Sequence, residues 1–241
     1  MLALTSCCAA GAETEKLPAG FVYLRDVAPS IVQDMRYAGP DNFTGKPVPG
    51  YNAAECVLKR SAAEALKRAQ EKAQALGLTL KVYDCYRPVR AVKAFLAWAA
   101  APGDARAKRY YPHLRKSQLV PGYIAPQSGH STGFAADLTL APANAAAEAA
   151  STEDQDCTAP SADRGPETSL DMGTAFDCFD PKANTASRLV TQEQHKARML
   201  LKGILEGAGF KNYAGEWWHF SYAGANGAQA HDFPIEPRPA Q

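Results

Sequence analysis

Two short segments of this 241-residue chain carry residues suited to metal chemistry. Ser128-Gly129-His130 leads through Gly133 and Ala135 to Asp137, and Glu216-Trp217-Trp218-His219 follows far downstream. Together they supply two imidazoles, one carboxylate ligand and a second carboxylate beside the last histidine. A catalytic zinc ion in a hydrolase is usually held by three N or O ligands, with the fourth position open to water. His130, Asp137 and His219 can provide the three. Glu216 can then accept the proton of the water. The bland alternative makes both histidines ordinary core residues, but their shared motif context argues against it. Asp137 precedes an apolar run, where a carboxylate is costly to bury without a partner such as a metal.

The spacing sets conditions on the backbone. Residues an even number apart share a face of a strand, and His130 and Asp137 are seven apart. A turn or bulge must lie between them, and Gly133 is the natural place. Asp137 then opens the strand Leu138-Thr139-Leu140. Glu216 and His219 are three apart, so one helical turn or a bent strand end would bring both to one site. Trp217, Trp218, Phe220 and Tyr222 favour a strand.

The pattern S-x-H-x-x-G-x-A-x-D followed by E-x-W-H resembles the zinc D,D-peptidases. That group includes the D-alanyl-D-alanine dipeptidases and D,D-carboxypeptidases. Asp34-Met35-Arg36-Tyr37, Asp41-Asn42-Phe43-Thr44-Gly45, Tyr83-Asp84-Cys85-Tyr86-Arg87-Pro88 and Tyr110-Tyr111-Pro112 narrow the resemblance to dipeptidases of VanX type. It spans roughly residues 20 to 222. The resemblance implies one zinc ion, a Hedgehog/D,D-peptidase-like fold and hydrolysis of D-Ala-D-Ala to two D-alanines. It implies Arg87 as the active-site arginine, which can stabilise an oxyanion together with zinc. It places Tyr37, Ser128 and Asp177 near the substrate's free ammonium. A carboxylate there favours a free dipeptide over an acylated chain. The alternatives are a D,D-carboxypeptidase trimming peptidoglycan stems and a non-catalytic zinc-containing binding module. Glu216 argues against the latter, because a structural zinc is closed by a fourth ligand and needs no base.

Several elements must position these groups. Residues 20–37 read as an opening strand and turn, and 41–57 as loop. Ser61 to Leu76 is amphipathic, with Ala62, Leu66, Ala69, Ala73 and Leu76 at helical spacing and Gly77 as its stop. Leu78 to Asp84 reads as a strand, and Pro88 starts a helix through Ala100. Residues 102–127 read as loop. Residues 141–170 are a polar insertion with expected partial disorder. Thr191 to Glu206 is a helix with Thr191 and Gln194 as a capping box. Glu216 and His219 are placed on the last strand. Irregular alternation of helices and strands points to one α+β domain, about 18–230, with a central antiparallel sheet flanked by helices. A C-terminal tail, 231–241, follows. Trp217 and Trp218 are read as packing and pocket walls. His195 and His231 are expected to be solvated, and His113 lacks a motif. Asp84 fits either a salt bridge to Arg87 or a plain strand end.

Six cysteines bear on compartment. Leu4-Thr5-Ser6-Cys7 resembles a lipobox, yet Met1 to Ser6 lacks the basic start and apolar stretch of a secretory signal. Either the true start lies upstream or the match is accidental. Cysteine arithmetic favours the former, with Cys7 as lipid anchor and residues 1–17 as a tether. Of three pairings of the other four, Cys56–Cys85 and Cys157–Cys178 are expected in an exported protein. A periplasmic or membrane-anchored location follows, the alternative being four free thiols in the cytoplasm. A net charge of +1 gives no reason to expect nucleic acid as a partner.

Overall fold

The computed structural model describes residues 17–103, 105–145, 155–164 and 167–239. In chain order the elements are β1 (Phe21–Tyr23), α1 (Leu24–Val27), β2 (Val32–Gln33), β3 (Val57–Lys59), α2 (Arg60–Gln74) and β4 (Leu78–Asp84). Then follow α3 (Val89–Ala100), α4 (Ala107–Tyr110), β5 (Ala135–Pro142), α5 (Gln192–Glu206), β6 (Phe210–Asn212) and β7 (His219–Tyr222). One buried apolar cluster runs from Phe21 to Ile235, so the α+β domain has a single core.

The main sheet has the order β2-β4-β5-β7-β6, and β1 pairs with β3 in a small second sheet. The antiparallel expectation holds for β4, β5, β7 and β6. It fails at one edge, where β2 runs parallel to β4. The chain between them includes β3 and α2, which is ample for the crossover a parallel pair needs. Helix α2 buries Ala62, Leu66, Ala69 and Ala73 as their spacing predicts. It ends at Gln74, so Leu76 is off the stripe and exposed. Gly77 follows with a left-handed φ of 72°. Helix α5 begins on the expected capping box, with Thr191 N donating to Gln194 Oε1 at 2.9 Å and Gln194 N to Thr191 Oγ1 at 3.2 Å. The expected loop 102–127 contains α4 and forms part of the cleft described below.

The insertion begins later than its composition suggests, because β5 continues to Pro142. Its described parts pack back on the sheet. Leu170 N donates to Leu140 O at 2.8 Å, and Glu167 pairs with the fully buried Lys81 of β4. Residues 146–154, like residues 1–16 of the tether with Cys7, lie outside the described residues. Both expected disulfides form, Cys56–Cys85 and Cys157–Cys178.

The tail is integrated rather than detached. Phe233 stacks on Tyr86 with centroids 4.2 Å apart, and Ile235 is fully buried beside Tyr51. His231 is half-buried against Phe21 instead of solvated. Two apolar residues at alternate positions, Phe233 and Ile235, explain the docking, since an extended segment presents both on one side. No helix among the described residues is long and apolar enough to cross a membrane.

Candidate metal centre and active-site cleft

Register on the sheet assembles the centre. Asp84 on β4 pairs with Asp137 on β5, and Asp137 pairs with His219 on β7. Directly opposed residues point to the same face. The β4–β5 register shifts between Val82 and Asp84, and this irregularity brings Asp84 into the row. His130 reaches it from the 3-10 turn Gly129–Thr132, which Gly133 closes at φ 78°. A side chain at Gly133 would meet Phe21, its Cβ falling 2.3 Å from Cε1. Both conformation and space therefore demand glycine at the turn expected between the two ligands.

His130 Nε2, Asp137 Oδ1 and His219 Nδ1 form a triangle. The sides are 3.2 Å (His130–Asp137), 3.0 Å (His130–His219) and 3.0 Å (His219–Asp137). Tetrahedral N and O donors at about 2.0–2.1 Å from one cation stand about 3.3 Å apart, so the set fits a zinc-like ion. His130 Nδ1 lies 2.7 Å from the Cys85 carbonyl, which can only accept. The ring therefore carries its proton on Nδ1 and turns its Nε2 lone pair to the centre. Burial opposes the Asp137 charge, but His130 and His219 outweigh it and hold the carboxyl well below its ordinary pKa.

Arg87 sits beside this triangle. Its Nε and Nη2 each lie 2.8 Å from Asp84 Oδ2, and Nη2 lies 3.4 Å from Asp137 Oδ2. Tyr51 donates to the other Asp84 oxygen at 2.7 Å. Asp84 is thus a fully buried salt-bridge partner that fixes the guanidinium. Burial acts against the Arg87 charge, and Asp84, Tyr37, Tyr51 and Asp137 together outweigh it. The planar group also lies over the Tyr37 and Phe95 rings, 5.2 and 5.1 Å from their centroids.

Glu216 is not on a strand. It lies in the turn before β7, where its N–H donates to Tyr213 O and its carbonyl accepts from His219 N. This bent end solves the three-residue spacing that a regular strand could not. Burial, reinforced by Asp137, pushes the Glu216 carboxyl up to about 8. Asp177 is buried in the same cleft and accepts the Tyr37 hydroxyl at 2.7 Å. Its pKa is also raised well above the ordinary value, first by burial. Ser128 caps the turn that carries His130, accepting from His130 N at 3.3 Å.

All eight site residues chosen from the sequence line one cleft of ≈ 290 Å³: Tyr37, Arg87, Ser128, His130, Asp137, Asp177, Glu216 and His219. Phe43, Phe95, Tyr123, Phe179, Tyr213 and Trp218 supply aromatic walls. Trp218 is thus a cleft wall as expected, while Trp217 lines a separate cavity. Sequence reasoning missed Tyr51 and the 121–127 wall. Tyr51 had no local signal, but a buried Asp three residues before Arg87 marks a pair that needs support.

A mixed sheet bearing a His–Asp–His donor set beside a buried carboxylate and a fixed guanidinium defines a metal-dependent hydrolytic centre. The chain belongs to the D-ala-D-ala dipeptidase family of M15 peptidases, whose family profile matches residues 18–147 and 143–235. It is 37% identical over 203 residues to the D-alanyl-D-alanine dipeptidase of Enterococcus faecalis, covering 83% of this chain and 90% of that one. It is 37% identical over 218 residues to that of Streptomyces coelicolor, covering 89% and 98%. It is 30% identical over 217 residues to that of Escherichia coli, covering 89% and 88%. The chain is therefore a metallopeptidase of this family, and His130, Asp137 and His219 are its candidate metal site.

Proposed function

We propose that this protein is a zinc peptidase that hydrolyses D-Ala-D-Ala to two D-alanines. The observation that carries this reading is the layout of the cleft. The metal donors and Glu216 line the same small space as a buried carboxylate, Asp177, suited to a free ammonium. A zinc ion held by His130, Asp137 and His219 supplies Lewis-acid chemistry, polarising the peptide carbonyl and acidifying water.

The protein's own groups do the rest. Glu216 takes the proton of the attacking water and delivers it to the leaving amine. A carboxyl raised by burial suits both tasks. Arg87, locked by Asp84, faces the oxyanion that develops on the carbonyl. Asp177 receives the ammonium of the dipeptide, with Tyr37 and Ser128 beside it. An acylated amino end brings no charge to Asp177 and leaves it without a cationic partner.

The deciding experiment is purified, zinc-loaded enzyme tested against D-Ala-D-Ala and N-acetyl-D-Ala-D-Ala, with released D-alanine measured. Fast release from the free dipeptide alone supports the reading. Equal release from both would replace it with a D,D-carboxypeptidase.

Export to an oxidising compartment, with Cys7 as lipid anchor, is part of this reading. Its support is the pair of buried disulfides in the fold. The 1–17 tether belongs to the same proposal. Metabolic labelling with a fatty acid tests it, and a Cys7→Ala variant that still takes up label would overturn the anchor. An exported enzyme fits recycling of D-alanine from cell-wall turnover, whereas removal of the dipeptide before it joins the precursor requires the cytoplasm.

A further inference from the structure

A second cavity adjoins the catalytic cleft at Asp177. The far cavity is walled by Cys157, Met172, Thr174, Ala175, Phe176 and Trp217. Thr174, Ala175 and Phe176 line the far cavity only and Asp177 lines both, so this stretch of chain separates the two at Asp177.

This partition holds an uncommon conformation. Asp177 is a non-glycine residue with φ 58°. Such a residue persists where its surroundings over-determine it. Four ties do so here. Cys178 is bonded to Cys157, and Ala175 N donates to Cys157 O at 3.0 Å. Phe179 N donates to Tyr110 O at 2.6 Å. Trp217 Nε1 donates to Thr174 Oγ1 at 2.8 Å. The disulfide is the covalent tie and joins the residue next to Asp177 to the insertion. Both sulfurs are buried.

Apart from Asp177, which is placed against the ammonium, none of the groups assigned to bond breaking sits on this segment. Arg87 follows β4, Asp137 and His219 lie on β5 and β7, and His130 and Glu216 lie in turns beside them. The crosslink is thus separable from bond breaking.

We propose that the Cys157–Cys178 crosslink is a specificity device. It holds Asp177 as the closed end of the cleft, so that the cleft admits a free dipeptide and refuses one extended at its amino end. The inference rests on the dipeptidase reading above. Without the tie, residues 174–178 relax and the two cavities merge, giving an extended amino end somewhere to go. Cys157 and Cys178 are then positioning residues, acting through Asp177.

The test uses the full-length, zinc-loaded enzyme and a Cys157→Ala/Cys178→Ala variant. Both are assayed with D-Ala-D-Ala and N-acetyl-D-Ala-D-Ala. Losing a well-placed ammonium–carboxylate bond weakens binding about tenfold or more. The KM for the free dipeptide should rise by about that factor. Its kcat should stay within about threefold, because the reacting groups are on independent elements. The preference for the free over the acetylated substrate should fall about tenfold or more. In an Asp177→Asn background the same cysteine change should alter that preference by less than about twofold, since both act on one contact.

A lower melting temperature with KM and preference unchanged would assign the crosslink to stability alone and overturn the proposal. Where the double alanine variant does not fold, Cys157→Val with Cys178→Ala fills more of the vacated space and is read the same way. Failure of both pairs to give folded, zinc-loaded enzyme also overturns it, because the crosslink would then belong to the fold. Wild-type enzyme that releases D-alanine from neither substrate sinks the dipeptidase reading itself, and that result is obtained before any variant is made.

Discussion

Asp137 and His219 stand directly opposite each other on adjacent antiparallel strands, with Oδ1 and Nδ1 3.0 Å apart. Two of the three candidate metal donors are therefore placed by the backbone ladder itself, and only His130 depends on a turn. Ligands on a sheet are held more rigidly than ligands on loops.

That rigidity gives the first expectation. His130→Ala, Asp137→Ala and His219→Ala should each abolish tight zinc binding. The loss should exceed the about 10–100-fold seen when a ligand merely loses its hydrogen-bond partner. Elemental analysis after dialysis checks it. One zinc per chain in any variant would remove that residue from the ligand set.

Glu216→Gln should keep the metal and lose about 100-fold or more of kcat, as expected for a missing general base. The pH dependence has a definite sign. Burial and Asp137 push the Glu216 carboxyl to about 8, and a base works only when deprotonated. Activity must therefore rise with pH through the Glu216 pKa. A bound divalent cation offsets the Asp137 charge, so the acid limb of kcat/KM in the zinc-loaded enzyme should lie below 8. A pH profile of the wild type with no acid limb would contradict the assignment.

Arg87→Lys should cost about 100- to 1000-fold in kcat, the usual loss for one oxyanion donor. A lysine keeps the charge but cannot contact Asp84 and Asp137 with the same planar fork. Tyr51→Phe, which removes only the support to Asp84, should cost less, about 5–15-fold. Steady-state kinetics rank the two. A larger loss in Tyr51→Phe than in Arg87→Lys would overturn this order.

Lys81 is fully buried on β4 against Glu167 of the insertion. Burial acts to raise the Glu167 pKa, but Lys81 and Arg36 outweigh it and hold it low. A depressed carboxyl stabilises the fold above its unfolded pKa of about 4.3 and loses that contribution as pH falls through the folded value. Glu167→Gln should destabilise by about 1–3 kcal/mol at neutral pH. Denaturant titrations should show the gap to wild type closing below about pH 4. A gap that widened in acid would refute the ion pair as its source.

The cleft lining was legible because short motifs carried it. Residue types at fixed spacing picked out His130, Asp137, Glu216 and His219, the family resemblance added Tyr37, Arg87, Ser128 and Asp177, and the fold brings all eight into one cleft. The capping box at Thr191 and the glycine at 133 were local signals and were readable for that reason. What was not readable depended on distant partners. The parallel edge of β2 is set by which strand it meets, and the irregularity near Tyr83 by its partner's register. Glu216 was placed on a strand because its aromatic neighbours favour one, yet the need to reach the centre ends the strand at His219. Tyr51 reaches Asp84 across 33 residues of sequence, which no window of periodicity covers.

The docked tail clasps two parts of the cleft scaffold together. His231 N donates to the Ser131 carbonyl at 2.8 Å, and Val89 N donates to the His231 carbonyl at 3.1 Å. One late residue thus joins the turn that carries His130 to the start of α3. On a ribosome the chain emerges from its N-terminus, so Tyr37 and Arg87 are out long before their scaffold can be fastened. The turn that carries His130 is fastened to the start of α3 only once residue 231 is free. A chain truncated after residue 230 retains all eight cleft residues but should bind zinc more weakly than the full length. Equal zinc retention on dialysis would show that the centre closes without its final segment.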